Sequence, residues 1–303
     1  MSQRLLNWFE LRWPRKVDSQ RLVDAFRLIA TSRATPIVIE AVGTNSGVAH
    51  RLALPAEASA MLVEQLSSTV PGVGFTRLKQ RPPIEIDRAA EVRMSTTGRA
   101  LRTDDAESVS RALLTALSAP RIGETVVLQW QLVGALAPNS VDSRTGAPPS
   151  GSVIADVSRA LLHGRGELDA EGRGALRTKR SLPGWRAVGR IGVHAEHPAR
   201  QRQLIQQVVA ALRSAEAPGT HFHLRYTNAS GMTAAKTPWR VPVRLNIAEL
   251  AAVSGWPVGD TISSRPSGEH QKPRPHSGGA LKRTGARQGH LPRSRTARHA
   301  QQQ

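Results

Sequence analysis

Arg173, Arg177, Lys179, Arg180, Arg186 and Arg190 crowd into one short stretch, with Trp185 among them. Cations interleaved with an aromatic ring can follow a nucleic-acid backbone, since the cations neutralise phosphates with release of counterions and an indole stacks on a base. These seven residues are the candidate nucleic-acid or partner surface. The same run also fits a solvated helix face in an Arg-rich protein. Histidine offers a second candidate chemistry. His194 and His197 flank Glu196, and His221 and His223 sit two apart, a spacing that puts two imidazoles on one strand face and could suit a metal. A polar strand face opposite Phe222, Leu224 and Tyr226 accounts for the second pair equally well.

Phosphate hydrolysis requires a Gly-rich loop followed by Lys and then Ser or Thr, so that backbone N–H groups and an ammonium cradle the phosphates. The glycine-bearing stretches GTNSGVAH and GRGELDAEGRGALRTK lack that ending. No Ser, His and Asp set sits on a nucleophile elbow. The chain is therefore expected to bind rather than catalyse, with no catalytic, cofactor-binding or metal-binding residues assigned.

The 303 residues carry 42 Lys and Arg against 23 Asp and Glu, a formal charge of +19 that suits a polyanionic partner such as nucleic acid. With 39% apolar residues the chain has enough material for real cores. It has no Cys, which excludes disulfides, thiolate metal sites and cysteine nucleophiles. Charges at Arg4, Glu10 and Arg12 interrupt any signal-peptide core, and no stretch has the ~20 apolar residues of a membrane span. The expected place is cytoplasmic, peripheral at the inner face of a membrane only through partners.

The elements that must position these residues follow from periodicity. Asp18 can cap a helix to about Ala30, with Leu22, Phe26 and Ile29 on one face. IVIEAV, the turn GTNSG and VAHRLAL form a hairpin over residues 37–54, and a helix follows to about Ser68. EVRMS is a strand, and Asp104 with Glu107 forms a capping box for a helix bearing Val109, Leu113 and Leu117. TVVLQWQLV alternates Val126, Leu128, Trp130 and Leu132 as a buried strand.

Residues 137–152 are a linker by composition. Beyond it come helical stretches at 153–163 and 167–180, the strand GWRAVGRIGVHA, a helix from Pro198 to Ser214 with Leu204, Val208 and Leu212 in a stripe, and the strand HFHLRY. The expected fold is α+β, with repeated strand–helix–strand units making two α/β sandwich subdomains: 1–136, the 137–152 linker, and 153–257. From Val258 the chain holds nine Lys and Arg against two Asp and Glu with almost no apolar periodicity, and a disordered basic tail is expected over 258–303.

The block RVPVRLNIAELAAVSGWPV reads as a strand and then a helix capped by Asn246 with Glu249, ending at Gly255-Trp256-Pro257. It resembles the close of the N-terminal region of actinobacterial conjugative-transfer and type IV secretion ATPases, before their motor domain. LRWPRKVDSQRLVDAFRLIA, KRSLPGWRAVGRIGV and the helix ending AEAPG look similar to the same region. The resemblance implies a non-catalytic module of such a machine, truncated or read out of frame after about Asp260, which binds DNA or components of the conjugation or secretion machinery. The alternative is a stand-alone basic nucleic-acid-binding protein.

Overall fold

Val126, Leu128, Trp130 and Leu132 project from one side of a single long strand and are fully buried, because the period-two geometry of a strand delivers alternate side chains to one core. In the computed structural model, which describes residues 5–140, 170–233, 235 and 241–260, that strand lies near the middle of a nine-stranded sheet. The strands are β1 (Leu6–Arg12), β3 (Ile37–Thr44), β4 (Gly47–Pro55), β5 (Gly74–Leu78), β6 (Arg88–Met94), β7 (Thr125–Leu136), β8 (Gly184–His194), β9 (Phe222–Thr227) and β10 (Val243–Asn246). A separate two-stranded ribbon pairs β2 (Lys16–Val17) with β11 (Gly259–Asp260).

The main path runs β5-β1-β4-β3-β7-β8-β6-β9. All its pairings are antiparallel. β8 is long enough to take two partners end to end along one edge, β6 against Gly189–Val193 and β10 against Gly184–Ala187.

Seven helices are present among the described residues: α1 (Ser19–Ser32), α2 (Ser59–Thr69), α3 (Ala106–Leu117), α4 (Ala170–Arg180), α5 (Pro198–Arg213), α6 (Ser230–Thr233) and α7 (Ile247–Val253). α1 starts where Asp18 accepts a hydrogen bond from Gln20 N at 2.7 Å, and it buries Leu22, Phe26 and Ile29 as its periodicity predicts. Burying each such side chain contributes about 1.5–3 kcal/mol, so Phe26→Ala alone costs about 3–5 kcal/mol. α1, α2, α3, α5 and α7 share one core with the β7 residues above. The cap of α3 falls one residue later than expected: Asp105, not Asp104, accepts from Ser108 N. No helix among the described residues is long and apolar enough to cross a membrane.

The opposite sheet face is not bare. Ile84 and Met232 cover Val42, Ala89 and Val127, and Leu78 and Ala235 pack near Trp8, Val38 and Ala53.

Two organisational expectations are corrected. The strand expected to close a first subdomain and the one expected to open a second pair along their whole length, from Thr125↔His194 to Leu136↔Gly184. β6, from the first half of the sequence, lies between β8 and β9. The described residues therefore fall in one compact unit, residues 1–267, rather than two sandwich subdomains, and separate repeats do not emerge. The physical reason is that a Pro- and Gly-rich excursion between paired strands has the composition of an interdomain linker, and only register tells them apart. The tail boundary also moves. Val258 is buried and donates to Ser110 Oγ at 3.0 Å, and Gly259–Asp260 pair with β2. The helix expected at 153–163, most of the linker and residues 261–303 lie outside the described residues.

Candidate anion-binding site

α4 ends in Arg177, Lys179 and Arg180, cations that complement the negative end of its dipole. Two residues of the expected surface lie on its outer sides: Arg177 is exposed and Arg173 half-buried. Lys179 instead turns inward. Its Nζ lies 2.5 and 2.7 Å from the two carboxylate oxygens of Glu249, and both side chains are almost wholly buried. Burial draws the Lys179 ammonium below its ordinary range, and the Glu249 carboxylate opposes this.

Glu249 is also the third residue of α7. It accepts from Asn246 N at 2.8 Å in the capping box read from the sequence, and from Leu101 N at 2.7 Å. Lys179 thus docks α4 onto a helix start and is not part of a surface.

Trp185 and Arg190 depart from the expected surface for a related reason. Both lie on β8, whose two faces are covered. Trp185 packs edge-on against Phe26 in the helix-side core, with ring centroids 6.1 Å apart. Arg190 is buried on the other face, where its guanidinium donates to Gln129 and Gln131 at 3.0 and 3.2 Å. Three of the seven expected surface residues, Lys179, Trp185 and Arg190, are therefore internal.

Arg190 belongs to a row that crosses eight strands. Thr76, Glu10, Arg51, Glu40, Gln129, Arg190, Glu91 and Arg225 stand opposite one another in that order. Glu40, fully buried at its centre, accepts from Arg81 at 2.5 Å and from Gln129 at 2.7 Å. The charges alternate, so each buried ion has a counterion or amide beside it. No single-sequence pattern shows this row, because its members come from eight separate segments.

Arg186 and Arg180 do stay together, joined by a residue that sequence reasoning missed. Arg244 on β10 stands directly opposite Arg186 on β8. Like charges in that position are destabilising. Burial first, and then Arg180 and Arg186, hold the Arg244 guanidinium below its ordinary range. Arg186 lies over Gly134, with Nη2 3.0 Å from where a Cβ would stand. A side chain at 134 would displace it.

Arg180 and Arg244 line a small cavity of about 40 Å³ together with Leu136, Leu182, Leu245 and Asn246. The main chain of Arg180 is tied to the end of β7, its carbonyl accepting from Asn139 N at 3.0 Å. None of the three guanidiniums has a carboxylate within ion-pairing distance among the described residues, whereas Arg81, Arg93 and Arg200 are all paired. The signal that could have found Arg244 is the RVPVR segment itself, whose alternation puts Arg244 opposite Val243 and Leu245.

The histidines do not converge. His194 Nδ1 is 2.9 Å from Asp87 Oδ2, outside hydrogen-bonding geometry, while its Nε2 is 3.5 Å from Glu85. His197 and His221 are exposed and pair loosely with Glu196 and Glu216. No group of three metal-ligating side chains occurs among the described residues.

No family model matches the chain, and no curated protein matches it. Among solved structures it is similar to a chitooligosaccharide oxidase at 10% identity and TM-score 0.37, over 72% of this chain and 45% of that one. It is also similar to CrmK, a flavoenzyme of caerulomycin biosynthesis, at 12% identity and TM-score 0.34, over 69% and 41%. A third is 6-hydroxy-D-nicotine oxidase from Arthrobacter nicotinovorans, at 14% identity and TM-score 0.33, over 70% and 43%. The chain thus spans less than half the length of each, and at these scores neither their fold nor their chemistry carries over. The expectation of a conjugative-transfer or type IV secretion module is corrected by the same comparisons: the structures they name are oxidases and flavoenzymes rather than conjugation or secretion proteins.

Proposed function

We propose that this protein acts by binding, and that the group it binds is an anion held by Arg180, Arg186 and Arg244. The observation that carries this is the placement of Arg186 directly opposite Arg244, with Arg180 close by, beside a cavity that Arg180 and Arg244 line, with no carboxylate among the described residues within ion-pairing distance of any of the three. Cations brought together without counterions oppose folding, and an anion between them would turn that repulsion into charge-assisted hydrogen bonds. Leu136 and Leu182 in the lining lower the local polarity and strengthen such bonds.

The test is isothermal titration of the protein with sodium phosphate and with sodium acetate at constant ionic strength. It is repeated on a variant in which Arg180, Arg186 and Arg244 are all Gln. Saturable binding of at least one anion, lost in the variant, is expected. Heats that match buffer for both anions, or binding that survives in the variant, would overturn the proposal.

A further inference from the structure

The number of cations at this corner and the size of its cavity narrow the ligand. Resting on the anion-binding proposal above, we infer that the group recognised is the terminal phosphate of a small phosphate monoester. A carboxylate carries one charge in a planar fork that a single guanidinium satisfies with two parallel bonds, which would leave two of the three arginines facing each other unneutralised. A phosphate monoester carries nearly two charges and three free acceptor oxygens around a tetrahedral centre. Three guanidiniums arriving from α4, β8 and β10 supply donors from three different elements.

A phosphodiester backbone suits the corner less well, because it presents one charge per phosphate and needs a track of cations along its length. Here the track is interrupted. Lys179, Trp185 and Arg190, which would extend it, are all buried and committed to internal partners or packing. The cavity of about 40 Å³ has room for a phosphate head and little more, and Leu136 and Leu182 in its lining leave an apolar rim for the first carbons of the ester. Arg186 lies over Gly134, whose missing Cβ leaves room for its guanidinium beside the cavity.

The experiment is competitive titration at constant ionic strength with phosphoserine, glucose 6-phosphate and AMP as monoesters, dimethyl phosphate as diester, and acetate as carboxylate. Monoesters are expected to bind roughly tenfold or more tighter than dimethyl phosphate or acetate, a gap set by the second charge. Equal affinity among the three monoesters identifies the phosphate head as the whole recognition element, and a preference for one identifies its source. Both outcomes support the inference. If acetate or dimethyl phosphate binds as tightly as the monoesters, the monoester inference fails while anion binding stands. If no anion binds, the proposed function itself fails. Arg244→Gln and Arg186→Gln are each expected to weaken phosphoserine at least tenfold while Arg244→Lys retains part of the affinity. Unchanged affinity in both Gln variants would place binding elsewhere and overturn the inference.

Discussion

Lys179 Nζ sits within 2.7 Å of both carboxylate oxygens of Glu249, two residues far apart in sequence that tie the end of α4 to the capping box of α7. Glu249 spends its remaining acceptor capacity on Leu101 N and Asn246 N, so one buried carboxylate organises a helix start, a loop and a docked helix. Removing only the cation leaves a buried anion half-served. Lys179→Met is therefore expected to cost about 3–5 kcal/mol, read as a lower urea midpoint at unchanged slope. Lys179→Met combined with Glu249→Gln should recover part of that loss. A double variant as unstable as the sum of the single ones would show that the pair is not coupled.

His50 supplies a pH prediction. It is buried and its Nε2 lies 3.0 Å from the Gly255 carbonyl oxygen. Burial lowers its pKa from 6.5 to about 4, the Gly255 hydrogen bond pulling the other way. Between those values the unfolded chain binds a proton that the native chain refuses, so stability falls as pH drops from 6.5 towards 4 and levels off below. The full change is about 3 kcal/mol from this group. His50→Gln should flatten the stability profile in that window relative to the natural protein, and identical profiles would remove His50 as the cause.

Arg244→Gln makes a distinctive pair of expectations. Because Arg186 faces it directly, loss of the charge should leave stability unchanged or raise it by about 0.2–1 kcal/mol at low salt, with the gain shrinking as salt screens the repulsion. The same variant should lose its response to phosphate. A loss of stability at low salt would show that Arg244 is a structural cation instead.

Gly43 lies where β3 passes the end of α3. A Cβ built there would stand only 1.8 Å from the Leu117 carbonyl oxygen, a backbone atom that cannot swing aside. Gly43→Ala should force the helix and strand apart and cost about 1–3 kcal/mol or more, measured by thermal unfolding. Gly123→Ala, in a turn with φ +80° and open space around it, should cost less than Gly43→Ala because only backbone strain opposes it.

The GWP block shows how a sequence motif and a tertiary role can differ. Trp256 stacks on Phe26 with centroids 4.9 Å apart and contacts Trp13 at 5.0 Å. Its carbonyl accepts from Ser110 Oγ at 2.8 Å. The motif seats the chain near Trp256 in the main core, and its specificity is that of packing rather than of a binding site.

Local order was legible because it depends on neighbours in sequence. Asp18 caps α1, Asn246 and Glu249 form their box, and the alternations through Trp130 and Ile191 bury the faces they imply, since 3.6- and 2-residue periods are fixed by backbone geometry alone. Tertiary structure alone decided which strands meet. Whether residues 137–152 separate two domains or merely leave and rejoin one sheet depends on the β7–β8 register, which no local pattern encodes. Tertiary packing likewise buried Lys179 against Glu249 and Trp185 and Arg190 on the two covered faces of β8, out of a basic run that looked uniform, and the β8–β10 pairing set Arg244 against Arg186. A charge has the same type wherever it stands, and its role is fixed by the counterions and solvent the fold places around it.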